Sequence, residues 1–360
     1  TNDFTGDFAY FDRGDSLMGD KLEGEDVDIT KEDTAYELAF GGPVIKDKLF
    51  FYVTYSEAEI SNPLRYGIQG SGAENLLDVT ADQAEQVRSA VQTLIGIDPF
   101  GPTGATESSQ ENTSVRLDWT ISDKHRLTFN HKDVFGTDLR GSSSDRNTVA
   151  LYSARYIKSE ETTTNSFHLV SDISDNLISE VYFSTKETMT DQISPAGQNM
   201  PNITIDEAFG YEFVAGPDIF RMANDLDTET TFFKAKLTYY QNDHKVTAGF
   251  ENSVYDTYNV FIVDEDGSYE FDDLAAVQSG SFSSYSAAGT KTGNVADGAA
   301  DFEYELQSMY IMDEYSMSDR VTLTFGLRHD EYSGDDTPTN ASFLNTYGFK
   351  NGGIKGTDLT

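Results

Sequence analysis

Cysteine is absent from the 360 residues, tryptophan occurs once, and 25 Lys plus Arg face 62 Asp plus Glu. Each shortage closes off a class of function. Without cysteine there is neither a disulfide framework nor a thiolate metal site. A formal net charge of -37 repels nucleic-acid phosphates and argues against a DNA or RNA binder. It also opposes docking on an anionic lipid surface by electrostatics alone. Long apolar runs are missing too: no stretch of about 18 apolar residues occurs, so no transmembrane helix is expected. A membrane barrel stays open, because its strands need only about 9–11 alternating residues. No signal peptide opens the chain, so for an exported protein Thr1 is not expected to be the true start.

What the chain does have is aromatic residues, 20 Tyr and 24 Phe, which removes the disorder that acidity alone suggests. They sit in alternating runs separated by short polar turns. In Val115–His131, the residues Val115, Leu117, Trp119 and Ile121 alternate with Arg116, Asp118 and Thr120. Ser122-Asp123-Lys124-His125 turns, and Leu127, Phe129 and His131 alternate with Arg126, Thr128 and Asn130. Period-two alternation puts one set on each face of a sheet. Similar turns fall at Gly41–Lys48, Ser174–Asn176, Gln241–His244 and Ser316–Arg320. Five hairpins and a strand at Gly6–Phe11 predict about eleven strands.

Long polar connections at Arg13–Asp33, Ser61–Glu111, Gly136–Thr162, Asp191–Thr228 and Val263–Ala300 separate the hairpins. Short turns at one rim and long loops at the other are the pattern of a transmembrane barrel rather than a sandwich. The fold class read here is therefore all-β, an antiparallel transmembrane β-barrel fragment with short periplasmic turns and long extracellular loops. The whole of 1–360 reads as one incomplete barrel domain. One loop carries a helix at about 80–95: Thr80 caps it, Gln83 completes a capping box, Ala84, Val87, Val91 and Leu94 form a stripe, and Gly96 ends it. Its expected role is to fold the loop back on the rim. Tyr55, Tyr239, Tyr240, Tyr315 and Tyr332 lie near strand ends, as an interface girdle or as ordinary strand formers.

Three ordered strings go beyond pattern. Phe40-Gly41-Gly42-Pro43-Val44-Ile45-Lys46-Asp47-Lys48-Leu49-Phe50-Phe51 resembles a hairpin of the TonB-dependent receptors, above all the large receptors related to the Oar group. Arg116-Leu117-Asp118-Trp119 with Ile121-Ser122-Asp123-Lys124-His125-Arg126-Leu127 resembles that family's next hairpin. Tyr310–Tyr315 together with Val321–Asp330 resembles a later segment, with Met312 and His329 where Gln and Tyr are usual. Tyr347-Gly348-Phe349 resembles the family's stretch just C-terminal to that segment. The resemblance implies a Gram-negative outer-membrane barrel of about 22 strands with a plugged lumen. About eleven strands are half of that, so a partial chain is expected. The implied partners are outer-membrane lipid and lipopolysaccharide, its own plug domain, the TonB system through that plug, and an unknown extracellular ligand.

Chemistry is sparse. The five histidines (His125, His131, His168, His244, His329) are scattered, and no nucleophile arrangement, phosphate loop or zinc motif stands out. No enzyme and no cofactor are expected. Asp264, Asp266 and Asp272, around Gly267, are weak candidate Ca²⁺ ligands, because the spacing is not that of an EF-hand and a solvated acidic loop explains them better. Tyr211, Phe213, Tyr258 and Tyr269, with Phe220, Tyr255, Phe261 and Phe271, either form a ligand-binding vestibule or pack the loops together. Acidic loops can hold divalent cations that bridge lipopolysaccharide, or maintain solubility in a saline habitat. The leading function is a receptor-transporter segment for TonB-energised uptake of a large or scarce nutrient. The alternative is an outer-membrane surface protein with an adhesive or export role.

Overall fold

The alternation in the sequence becomes one antiparallel sheet whose neighbours follow chain order. The computed structural model describes residues 2–14, 21–22, 25–26, 32–102, 105–197 and 199–334; Tyr347-Gly348-Phe349 and most of the connection Arg13–Asp33 lie outside them. The eleven strands are Thr5–Arg13 (β1), Glu32–Ile45 (β2), Leu49–Asn62 (β3), Thr106–Ser122 (β4), His125–Gly141 (β5), Arg155–Ser174 (β6), Leu177–Ile193 (β7), Ala223–Gln241 (β8), His244–Ile262 (β9), Ala300–Ser318 (β10) and Val321–Gly334 (β11). No helix is long and apolar enough to cross a membrane; the strands are the spanning elements.

Register shows which face meets lipid. Phe51, Leu117, Phe129, Phe167, Phe183 and Phe233 lie directly opposite one another from β3 to β8. The next row on that face runs Leu49, Trp119, Leu127, Leu169, Val181, Ala235, Phe250 and Met309. Ile311, Phe325 and Leu327 extend it and are more than half exposed. In a bilayer only such a face can look outward. The opposite face is the lumenal wall.

Three expectations need correction. Gly41–Pro43 belong to β2 and not to its turn, which is confined to residues 46–48. The Tyr52 ring lies against Gly41 and the Phe4 ring against Gly42, in space a Cβ would fill. Pro43 lies beyond the end of β1, which pairs only as far as Gly41, so its missing N–H is not needed there. Second, most strands run 14–20 residues, beyond what a bilayer requires. Ser, Thr and Glu stretches such as Thr106–Thr113 continue the ladder, because backbone pairing does not require apolar side chains.

Third, the connections are not plain loops. Thr148–Ala150, Tyr211–Ala215, Asn202–Ala208, Ser268–Asp273 and Ser284–Ser286 form a separate five-stranded sheet in that order. Two of its pairings are parallel and join strands from different connections. Helices Ala81–Ile95 (α1) and Leu274–Ser279 (α2) pack with it. The capping box at Thr80 and Gln83 is formed, and Gly96 ends α1 with φ 77°. The helix buries Val87 and Val91 in the core of this cap, while Leu94 stays partly exposed. Phe213, Phe271, Leu151, Met200, Ile203 and Ile205 complete that core. The main buried core thus lies in a cap built from four connections at the rim opposite the short turns.

Candidate functional site

Alternation decides where charge goes. Arg13, Arg116, Arg126, Lys132, Arg140, Lys158, Lys186, Lys234, Lys236, Lys245 and Arg328 all fall on lumenal positions. Arg155 is the exception among the Lys and Arg of the eleven strands; it is buried where β6 meets the cap, donating to the Gly141 carbonyl. On the lumenal wall the cations form a ladder of pairs. Lys236 Nζ lies 2.7 Å from Glu180 Oε1, with His168 3.7 Å from the same carboxylate. Lys234 Nζ and Arg328 Nη1 flank Glu251 at 3.3 and 3.1 Å. Arg328 also donates to Asp330 at 2.9 Å and lies over the Tyr310 ring. Arg116 forks onto Asp118, which accepts from Thr128 as well. Half-exposed pairs add little stability singly; their consequence is a polar, charge-balanced wall.

Outward, above the apolar band, the pattern reverses. Glu187, Glu229, Asp256 and Glu303 stand side by side across β7 to β10. Like charges in direct register repel, so this row favours counter-cations.

Where β7, β8 and β9 reach the cap, a cleft of about 540 Å³ opens, lined among others by Asp191, Asp225, Tyr258, Arg221, Glu265 and Asp266. Burial raises the Asp266 carboxyl, opposed by the Asn199 N–H that donates to it at 3.1 Å. Burial and neighbouring Asp266 raise Glu265. Arg221 lies over the Tyr156 ring, 5.3 Å from its centroid. Such a cleft can take up protons or cationic groups. Elsewhere in the cap, Asp98 is held below the usual carboxylate range by the Arg88 guanidinium, at 2.5 and 2.8 Å.

The structure separates the residues singled out by sequence. Phe213 is fully buried in the cap core and is a packing residue, because its strand lies between two others. Tyr211 packs against that core, and its hydroxyl accepts from the Asp78 N–H at 3.0 Å. Tyr255, Tyr258 and Phe261 are strand residues of β9 and not loop residues. Only Tyr258 of these eight aromatics lines the cleft. Tyr269 sits on the cap sheet opposite Tyr285. The single vestibule is therefore not assembled.

The three Ca²⁺ candidates are also dispersed. Asp264 is buried in a turn and accepts from Ser268 Oγ, Asp266 faces the cleft, and Asp272 is exposed on the cap strand. Among the described residues no group of three or more His, Asp or Glu is placed to hold a metal. Of the girdle tyrosines, Tyr239 and Tyr315 face outward near the turns, whereas Tyr240 and Tyr332 are lumenal. The cleft itself was missed, because its residues come from separate segments that no spacing links.

The sequence matches the family described as outer membrane beta barrel domain over residues 73–355. No curated protein matches the chain. Among solved structures, the outer membrane transporter YddB from Escherichia coli is similar with a TM-score of 0.53 at 10% identity, covering 84% of this chain and 34% of that one. The siderophore receptor PirA from Acinetobacter baumannii reaches 0.49 at 12% identity, covering 93% and 40%. The ferric-catecholate import receptor Fiu from E. coli reaches 0.49 at 12% identity, covering 93% and 42%. At these identities the likeness is one of fold, and the chain spans well under half the length of each of these structures.

Proposed function

The chain belongs to the outer-membrane β-barrel domain family and lies in the outer membrane of a Gram-negative cell, and from that premise we propose that it is part of a receptor-transporter. The complete protein takes up a large or scarce nutrient using energy relayed by TonB through a plug seated against the lumenal wall. The observation that carries this reading is the wall itself. A barrel that served only as an anchor for surface loops needs an apolar outside but no ladder of paired charges within. Here the cations of the strands are gathered on the inner face, which suits a polar occupant that must bind and be released.

The outward carboxylate row of Glu187, Glu229, Asp256 and Glu303 supports a second contact, with lipopolysaccharide phosphates through bridging divalent cations. No catalytic role is assigned to any residue.

The test uses the native host with the full-length protein. Solutes left in spent medium are compared by mass spectrometry for wild type, a deletion of this gene and a deletion of TonB. Uptake predicts that the same solute remains in both deletions. The adhesive or export reading predicts instead that surface attachment or secretion fails in the gene deletion while the TonB deletion behaves as wild type; that result would overturn the transport reading.

A further inference from the structure

Residues 274–290 contain no charged side chain, in a chain of net charge -37. Within them α2 ends at Gly280, and Ser284–Ser286 forms the outermost strand of the cap sheet. Two aromatics in this stretch stay half in water: Phe282 is 51% exposed and Tyr285 52%. Both lean on Tyr269. Tyr285 lies directly opposite it in register, with ring centroids 4.6 Å apart, and Phe282 meets it edge-on at 5.4 Å. Phe282 and Tyr285 are themselves 6.3 Å apart. Tyr269 packs against the buried cap core, so the three rings are rooted. Gly267, at φ 84°, leaves the space that the Tyr285 ring occupies; a Cβ there would lie 3.0 Å from it. Ser283 is bonded to the Glu270 carbonyl, and Ser284 and Ser286 flank Tyr285.

The geometry limits what can bind. The rings touch one another, so no slot remains between them for the cation of an aromatic cage. No Lys or Arg lies in 274–290 to receive an anion. An aromatic buries roughly 150–250 Å², so two half-exposed rings offer about one ring's worth, far below the ~800 Å² per partner of a stable protein interface. That area matches one or two pyranose rings. The C–H face of a sugar settles on the negative face of an aromatic ring, and small hydroxyl residues between rigid aromatics supply adaptable hydrogen bonds. We propose that the Tyr269–Phe282–Tyr285 platform on the cap binds neutral glycans at the cell surface.

This deepens the receptor reading by naming a ligand class, and binding is measured apart from uptake. Host cells lacking TonB, and carrying the full-length protein, are incubated with a fluorescent panel of neutral glucose, galactose, mannose and xylose oligosaccharides, and with dextran sulfate. At least one neutral probe binds above the level of the gene deletion. Phe282→Ala and Tyr285→Ala each lower that binding about 3- to 10-fold, Tyr285→Phe keeps most of it, and protease resistance of the cap is unchanged. Neutral probes that bind no better than to the deletion, alanine variants that bind as wild type, or selective binding of dextran sulfate would each overturn the platform. Preserved binding together with uptake indifferent to TonB would instead overturn the transport reading alone.

Discussion

Gly249 has no side chain because the Tyr310 ring occupies that space on the lumenal wall, and Arg328 in turn lies over Tyr310. An aromatic covering a strand glycine restores packing that glycine alone forfeits. Gly249→Val forces the ring off its seat and with it the Arg328 fork to Glu251 and Asp330. Overpacking of this kind costs about 1–3 kcal/mol, to be read by urea unfolding of the full-length protein in lipid vesicles. Removing the ring as well, in Gly249→Val with Tyr310→Ala, should recover part of the loss; strict additivity of the two changes would contradict the contact.

At the scale of elements, the cap is a folding unit in the sense that it holds its own core. Phe213 lies in its central strands, and Ser153 links three connections: its N–H donates to the Pro99 carbonyl, its hydroxyl accepts from Gly216 N, and its carbonyl accepts from Ser194. Phe213→Ala should cost about 3–5 kcal/mol of cap stability. Limited proteolysis should then cut within 142–154 and 194–222 while the barrel keeps its heat-modifiable migration. Joint loss of barrel and cap would show that the two are not separable. Capping of α1 was legible in advance, since Thr80, Gln83 and Gly96 are local signals. The destination of its apolar stripe was not: it packs on strands contributed by connections far away in sequence, not on the barrel rim.

For the whole molecule, charge is sorted by surface. Apart from Arg155, the Lys and Arg of the strands are lumenal, the apolar band faces lipid, and a row of carboxylates stands outward above it. Phe183 lies well within that band, so Phe183→Arg should destabilise the inserted barrel by about 2–4 kcal/mol, measured by folding into vesicles; an effect below ~1 kcal/mol would place that face elsewhere than in lipid. Acidity also gives the cap a pH response. Glu265 and Asp266 bind protons more tightly folded than unfolded. Their contribution to stability is therefore fully present below the ordinary carboxylate range of about pH 4 and is lost as pH rises through their raised values. Amide exchange in the cap core, at Ile203 and Ile205, should slow as pH falls after correction for intrinsic rates, whereas the bond that Asn199 N–H donates to the ionised Asp266 carboxylate should weaken. Asp266→Asn should flatten that profile.

The sequence by itself determined the barrel strands, their alternating faces, four of the five tight turns and the ends of α1. All of these come from rules that act within a few residues: period two for strands, Asp and Asn in turns, side-chain caps for a helix. Even the one misplaced turn had a local cause, since Gly41–Pro43 imitate turn chemistry while rings from Phe4 and Tyr52 cover them in the sheet. Only the tertiary structure decided that four connections fold into one cap, that Phe213 is core while Phe282 is surface, and that Asp191, Asp225, Arg221 and Asp266 share a cleft. The reason is physical. Pairing between distant connections is set by which strands the barrel brings to one rim, and no spacing along the chain records that neighbourhood.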